Sequence, residues 1–285
     1  MLYRGYDQQA LDDQYNARKS CPDVEAYLAR WPESSHSLRQ SAACELDLGF
    51  GESAAERLDI FPGEGPRAPL LVFIHGGYWR AFDKQDFSFV ANGFRAAGIS
   101  VAVVNYALAP GVTMDEIVRQ NRAALAWLHG NAARHGADPD RLHVAGHSAG
   151  GHLTAMMMCT DWPAFEAGLP RDLVKGGCAV SGLYDLEPIR LSYLNAEVRL
   201  DEEMARRNSP LHLDPVATTP LILSVGGAES DEFRRQTTAF ADHWRQNGRE
   251  LDELVMPGLD HFAIMEALAD PDSALAGAVH RMMLG

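Results

Sequence analysis

A serine between small residues follows an apolar stretch near the middle of the chain. The motif reads Gly146-His147-Ser148-Ala149-Gly150, with a strand-like run before it (141–145) and a helix-like run after it (152–159). A nucleophilic serine on a sharp strand-to-helix turn has this Gly-x-Ser-x-Gly pattern. The glycines remove side chains that would clash in the turn, and the amino end of the helix favours negative charge beside the serine. We therefore predict that Ser148 is a nucleophile.

A second motif offers backbone hydrogen-bond donors. Two glycines, Gly76 and Gly77, follow His75 directly after the apolar run 70–74. Glycines let a backbone amide come close to a substrate oxygen, and a His-Gly-Gly stretch after a strand is typical of an oxyanion hole. We expect the amides of Gly76, Gly77 and Ala149 to bind the developing oxyanion. His75 is expected to hold this loop rather than to act as a base.

The general base should follow the nucleophile. In enzymes that place a serine on a strand-to-helix turn, the acid and then the histidine come after it along the chain. His261 follows the last predicted strand and fits this order, so we predict that it takes the proton of the serine. His243 competes, but it falls within a predicted helix and is expected to be solvated. The side chains of His147 and His152 are expected to point away from the serine.

Three carboxylates compete for the role of the acid that orients the histidine. Glu229, Asp231 and Glu232 all follow the predicted strand 221–225. The acid must hold the tautomer of the histidine and stabilise its charged form, and it usually lies where the strand ends, which favours Glu229. Asp231 remains the alternative. Like Glu232, it falls in the first turn of the next predicted helix, where the helix dipole stabilises a carboxylate in any case.

Aromatic residues beside these motifs are candidates for the wall of a substrate pocket. Tyr78 and Trp79 follow the two glycines of the donor motif, and Tyr193 and Phe262 lie further along the chain. Each ring could contact a substrate or simply pack in the core. The sequence does not distinguish the two, so Tyr78 and Trp79 are substrate-binding candidates, with Tyr193 and Phe262 as further ones.

Short apolar runs alternate with longer helix-like stretches around these motifs. Apolar runs without polar alternation are typical of strands buried on both faces, as in parallel sheets. We therefore predict an α/β fold, with a mostly parallel central sheet and helices on both faces. Ligands bind such sheets at the carboxyl ends of the strands, where each motif above lies. The predicted strands are 70–74, 99–104, 141–145, 178–181, 221–225 and 251–256, and the clearest helices are 114–129, 231–247 and 273–283.

The pattern is consistent with a single domain over residues 1–285. No linker, repeat or low-complexity run divides the chain. Two segments lie outside the alternation of strands and helices. Residues 1–45 are a polar, helix-like N-terminal extension, and residues 184–215 are a charged stretch between two strands. Each could cover the active site as a lid or decorate the surface, and the sequence leaves both interpretations open.

Charge and composition exclude several classes of protein. The net charge of −14 argues against a nucleic-acid-binding surface. No signal peptide and no apolar run of membrane-spanning length is visible, so we expect a cytoplasmic protein that acts on a small molecule, without a membrane partner. The four cysteines have no paired spacing, and the histidines form no metal-binding pair. We expect no metal and no cofactor; a homodimer is left open.

These motifs together resemble the arylformamidases, also called kynurenine formamidases, which are α/β-hydrolases among the hormone-sensitive-lipase-like esterases. The resemblance covers nearly the whole chain. The oxyanion motif (75–79) and the nucleophile motif extended to Leu153 carry most of it. Shorter similar stretches are 11–15, 181–188, 208–210, 232–236 and 260–262.

The turn that carries the acid departs from the family pattern. The family has an aspartate where this chain has Glu229, and it tends to have a proline at the position of Asp231. The resemblance therefore favours Glu229 over Asp231, although the acid is longer than the one expected there. A glutamate can serve as the triad acid in this fold.

The resemblance implies that the protein hydrolyses N-formylkynurenine to kynurenine and formate, a step of tryptophan catabolism. The implied route passes through a formyl ester on Ser148. A carboxylesterase or amidase for small acyl or aryl esters remains an alternative, since the same machinery serves both. A non-catalytic binding protein on the same scaffold is the third hypothesis, because fold does not dictate function.

Overall fold

A computed structural model describes residues 1–285, and one eight-stranded sheet runs through it. The strand order is β1-β2-β4-β3-β5-β6-β7-β8. All neighbours from β4 onwards in this order pair in parallel, whereas β1 with β2 and β2 with β4 pair antiparallel. The strands are β1 (Glu45–Gly49), β2 (Arg57–Phe61), β3 (Ala68–Ile74), β4 (Ser100–Val104), β5 (Ala137–His147), β6 (Gly177–Val180), β7 (Leu221–Gly226) and β8 (Asp252–Met256).

Helices lie on both faces of this sheet. Alternate residues of β3 show the two faces, because Leu70 and Val72 belong to one apolar core whereas Leu71 and Phe73 belong to the other. The predicted α/β-hydrolase fold is therefore confirmed. The helices are α1 (Gln8–Tyr15), α2 (Val24–Ser41), α3 (Met114–Asn131), α4 (Ala149–Met158), α5 (Trp162–Phe165), α6 (Glu187–Leu191), α7 (Asn195–Val198), α8 (Glu202–Arg207), α9 (Asp231–Gln246), α10 (Ala263–Ala269) and α11 (Ala274–Leu284).

The first two strands were not predicted from the sequence. In β1 the residues are mostly exposed, and β2 carries charged residues at Arg57 and Asp59. Neither strand has the continuous apolar run of a strand buried on both faces. They form the antiparallel edge of the sheet, and β1 begins at Glu45, where the N-terminal extension ends.

Of the six strands β3 to β8, four lead into the site motifs, and β4 and β6 pack beside those four. The carboxyl ends of β3, β5, β7 and β8 lead into the oxyanion motif, the serine motif, the acid turn and the histidine loop. Since these strands are parallel, their carboxyl ends lie at one edge of the sheet. No helix is both long and apolar enough to cross a membrane.

Candidate active site

Ser148 lies at the turn between β5 and α4, where it is the N-cap of the helix. Its backbone has φ 59° and ψ −118°, a strained conformation for a residue with a side chain. The turn is held because the Ser148 amide donates to the Val180 carbonyl at 2.8 Å. A Cβ on Gly150 would lie 1.9 Å from the Ile74 carbonyl oxygen, so only glycine fits against the end of β3.

The oxyanion motif forms a tight loop after β3. Gly77 has φ 102°, and Tyr78 and Trp79 also have positive φ angles, a conformation that side-chain-bearing residues rarely adopt. The loop is anchored because the Tyr106 hydroxyl donates to the His75 carbonyl at 2.9 Å. The amides of Gly76 and Gly77 donate no hydrogen bond within the chain, so they are available to a substrate oxygen.

The amide of Ala149 belongs to the same group of free donors. Ala149 is the first residue of α4, and the first amides of a helix have no partner in the helix. A Cβ on Gly76 would lie 3.2 Å from the Ser148 Cβ, so the glycine loop passes directly beside the nucleophile. Gly76 and Ala149 therefore lie beside Ser148, and Gly77 lines the same cavity.

His75 is buried within this loop and lies away from the cavity. Its Nδ1 lies 2.8 Å from the Gly76 carbonyl oxygen, and its ring stacks between Phe87 and Tyr106. Burial lowers the pKa of His75 to about 4, since a charged imidazole would lose its hydration there. A neutral, stacked ring of this kind supports the loop, as the sequence predicts.

Glu229 and His261 meet in a buried contact. Nδ1 of His261 lies 2.6 Å from Oε2 of Glu229, and both residues are buried. Because an ionised carboxylate only accepts, Nδ1 carries the proton, and Nε2 is free to accept one. Asp231 is 71 % exposed and pairs with Arg234, so it lies outside this contact. Of the competing carboxylates, the structure brings Glu229 to the histidine.

Two further groups hold the Glu229 carboxylate. Its Oε1 accepts from the Ser181 hydroxyl at 2.5 Å and from the Gly226 amide at 2.7 Å. Ser181 follows β6, the strand beside β7, and has φ 50°. The sequence motifs do not identify this serine. Its place directly after an apolar strand was the available signal, but which strand lies next to β7 is a tertiary property.

The His261 ring lies between two other rings. The His147 ring and the Phe233 ring each lie 4.5 Å from it, centroid to centroid. The expectation that His147 points away from the serine is wrong, because His147 lines the same cavity as Ser148. Burial lowers the pKa of His147 well below its usual value, so this ring is a neutral neighbour of His261.

The other two histidines weighed in the sequence are anchored elsewhere. His152 is buried, accepts from the Trp79 indole at 3.2 Å and lies 2.7 Å from the Asn208 carbonyl oxygen. His243 lies on α9, where its Nε2 is 2.8 Å from the Leu213 carbonyl oxygen. His243 is thus packed rather than freely solvated, and neither ring reaches the serine side of the cavity.

Ser148 and His261 line one cavity of about 190 Å³. The hydroxyl of Ser148 makes no hydrogen bond within the chain. A hydrogen bond between a nucleophile and its base, here His261, often tightens only when substrate binds. Tyr78, Tyr193 and Phe262 also line this cavity. Trp79 does not: it is fully buried and its indole binds His152. The substrate-contact hypothesis for Trp79 is therefore wrong, since the ring packs in the core.

The N-terminal extension forms part of the cavity wall. Residues from the turn after α1 and from α2 line it, including Asn16, Arg18 and Trp31. Tyr15 fastens this segment: its hydroxyl donates to Glu232 at 2.9 Å, and its carbonyl accepts from the Tyr78 hydroxyl at 2.6 Å. The segment 184–215 contributes Tyr193. Both segments outside the strand-helix alternation therefore reach the cavity.

The structure holds no group of three or more histidine, cysteine, aspartate or glutamate side chains that could bind a metal ion. The four cysteines are unpaired. Ser148, His261 and the glycine loop all line the cavity. This set can carry out acyl transfer from a carbonyl compound to water.

Comparisons with known proteins identify relatives along the whole chain. Residues 58–176 match BD-FAE, and residues 121–273 match the prolyl oligopeptidase family. The kynurenine formamidase of Salmo salar is 32% identical, over 97% of this chain and 95% of that protein. That of Danio rerio is 31% identical, over 96% and 94%. A solved structure of a candidate thioesterase from Silicibacter is 32% identical, covers 94% of this chain and 97% of its own, and superimposes with a TM-score of 0.84.

Proposed function

The chain belongs to the kynurenine formamidase family of α/β-hydrolases, and from that premise we propose that it hydrolyses an aryl formamide, such as N-formylkynurenine, to the aryl amine and formate. It is a hydrolase. Full-length similarity to kynurenine formamidases carries the substrate class. The buried Glu229–His261 contact beside Ser148 supports the reaction type.

The first half of the proposed reaction transfers the formyl group. The Ser148 oxygen attacks the formyl carbon while Nε2 of His261 takes its proton. The carbonyl oxygen becomes negative and is bound by the amides of Gly76, Gly77 and Ala149; losing one such donor typically costs about 3–4 kcal/mol of barrier. His261 then gives the proton to the aryl nitrogen, the carbon–nitrogen bond breaks, and the amine leaves.

The second half regenerates the enzyme. Water attacks the formyl ester while His261 takes one of its protons, and the same donors bind the oxyanion again. The ester bond breaks, the proton returns to the Ser148 oxygen, and formate leaves. Throughout, Glu229 stabilises the charged imidazole and keeps Nδ1 as the donor.

Hydrolysis of small esters, thioesters included, is the second candidate function. The 32% identity to a candidate thioesterase over 94% of the chain favours it. An ester has a better leaving group than an amide, so the same site would depend less on protonation of the leaving group by His261.

One kinetic comparison separates the two functions. We expect kcat/KM for N-formylkynurenine to exceed that for p-nitrophenyl acetate, and we expect Ser148→Ala to abolish both activities. A formamide rate far below the ester rate would instead favour the esterase. Labelling with a fluorophosphonate tests catalysis itself: a native protein that stays unlabelled would contradict both functions, with Ser148→Ala as the unlabelled control.

A further inference from the structure

The cavity beside Ser148 has the opposite charge to the rest of the protein. The chain has 39 acidic and 25 basic residues, yet the residues that line this cavity include Arg18 and Arg80 and no aspartate or glutamate. Two guanidinium groups in a partly closed cavity raise the local potential and attract anions. Arg18 pairs with Glu25 and Arg80 with Glu197, and neither glutamate lines the cavity. The rim is therefore suited to a substrate with an anionic group that competes for these arginines.

Arg80 is fixed relative to the reacting centre. It follows the oxyanion motif directly, and its amide donates to the Gly77 carbonyl at 3.1 Å. The Gly77 amide is one of the proposed oxyanion donors. The backbone of Arg80 thus stays next to the oxyanion loop, so a group bound by its side chain would lie near the carbonyl that Ser148 attacks.

The guanidinium of Arg80 keeps free donors. Its Nη1 hydrogen bonds to Glu197 of α7, whereas its Nε and Nη2 make no hydrogen bond within the chain. An arginine has five N–H donors in a planar fork that matches a carboxylate. Since the Glu197 side chain is 51% exposed, this pair costs little to rearrange.

Tyr193 lines the cavity together with both arginines. Burial raises the pKa of its hydroxyl; Arg80 and Arg18 act in the opposite direction, and Asp12 acts in the same direction as burial. Aromatic rings of Trp31, Tyr78 and Phe262 line the remainder of the cavity, which suits a flat aryl group between Ser148 and the arginines.

We propose that Arg80, assisted by Arg18, binds a carboxylate on the aryl part of the substrate, so that the enzyme selects aryl formamides that carry a free carboxylate. The inference rests on the proposed function and names its substrate class. N-formylkynurenine has this chemistry, with a formamide on the ring and a carboxylate at the end of the neighbouring side chain. The contact acts on substrate selection and does not take part in bond breaking.

The test compares two formamides that share the ring, the formamide and the ketone and differ in the amino-acid group, which carries the carboxylate. N-formylkynurenine has the amino-acid group, whereas 2′-formamidoacetophenone has the same ring, formamide and ketone without it. We expect Arg80→Gln to lower the ratio of their kcat/KM values by about tenfold to hundredfold, as for loss of a charge-assisted hydrogen bond. Arg18→Gln should lower it less, because Arg18 is more exposed.

Two control variants make the result specific. Arg171→Gln removes an exposed arginine that lies beside Asp161 and outside the cavity, and it should leave the ratio unchanged. Glu197→Gln removes the carboxylate that competes for Arg80, so it should lower KM for N-formylkynurenine. If Arg80→Gln and Glu197→Gln each lowered kcat/KM for the two formamides by the same factor, the ion pair between these residues would be structural and the proposal would be wrong.

Failure of the inference differs from failure of the proposed function. If wild type hydrolyses N-formylkynurenine and Arg80→Gln keeps the wild-type ratio, carboxylate recognition is overturned and formamide hydrolysis stands. If wild type hydrolyses neither formamide, both proposals are overturned. Added salt gives an independent readout: KM for N-formylkynurenine should rise with ionic strength, since the arginines that would bind its carboxylate are partly exposed, whereas KM for the compound without the amino-acid group should not.

Discussion

Oε2 of Glu229 lies 2.6 Å from Nδ1 of His261, while Oε1 of the same carboxylate accepts from Ser181 and Gly226. Every oxygen of this buried acid thus has a partner. A carboxylate held from three sides cannot rotate away from the imidazole, and it fixes the tautomer that leaves Nε2 without a proton.

Glu229→Gln should lower kcat by about 10²- to 10⁴-fold with little change in folding. An amide can donate to Nδ1, which would select the wrong tautomer of His261 and remove the charge that stabilises the imidazolium. Asp231→Asn is the matched control, because Asp231 is exposed and pairs with Arg234. Steady-state kinetics with N-formylkynurenine measure both; a larger loss for Asp231→Asn would move the acid to that position.

Ser181→Ala should lower kcat/KM by about tenfold, through a contact that the sequence did not reveal. The variant removes one donor to Oε1 of Glu229, and a hydrogen bond to a charged group contributes about 1.5–3 kcal/mol. Ser224→Ala is the control, since this buried serine donates to the Leu254 carbonyl instead. Equal losses of activity in the two variants would show that only packing was affected.

Gly150→Ala should destabilise the protein although alanine favours helices. The new Cβ would meet the Ile74 and His75 carbonyl oxygens at 1.9 and 2.8 Å, and such overpacking costs about 3 kcal/mol or more. Gly130→Ala in α3 is the control: nothing lies within 4 Å of its Cβ, so stability should rise by about 0.5–1 kcal/mol. Urea unfolding compares them, and equal stability for the two variants would contradict the expected clash.

The free energy of unfolding should fall as the pH decreases from about 6.5 to 4. Burial lowers the pKa values of His75, His143 and His152 to about 4 in the folded protein, whereas in the unfolded chain they are about 6.5. Between these values the unfolded chain binds more protons, so acid favours unfolding. Each group would remove about 3 kcal/mol across this range.

Urea unfolding at several pH values measures this dependence. His143→Gln removes one of the titrating groups, so its stability should fall less steeply between pH 6.5 and 4 than that of wild type. Carboxylates that are stabilised in the folded state act at lower pH, near and below their usual pKa of about 4. A flat wild-type stability over this window would contradict the buried, neutral state of these histidines.

Much of the fold could be predicted because its strands are recognisable one at a time. The runs that became β3, β4, β6 and β7 are mostly apolar and buried throughout, as burial on both faces requires. The antiparallel edge was missed for the opposite reason, since β1 is mostly exposed and β2 carries charges. The other edge strand, β8, was predicted although it begins with Asp252 and Glu253 and has no buried residue.

The sequence by itself determined the parts whose geometry is local. The turn at Ser148 and the glycine loop at Gly76 and Gly77 are set by neighbouring residues, because backbone sterics there admit few residue types. The order of serine, acid and histidine along the chain also placed Glu229 and His261 as candidates, although Asp231 could not be set aside.

Only the tertiary structure decided what meets across the sheet. It brought Ser181 to the Glu229 carboxylate and placed His147 against His261. It also buried Trp79 away from the cavity and made residues of the N-terminal extension part of the cavity wall. These contacts join residues far apart in the chain, and they depend on strand order, register and helix packing. Local pattern carries no information on such distances, which is why side chains outside the recognised motifs were not found.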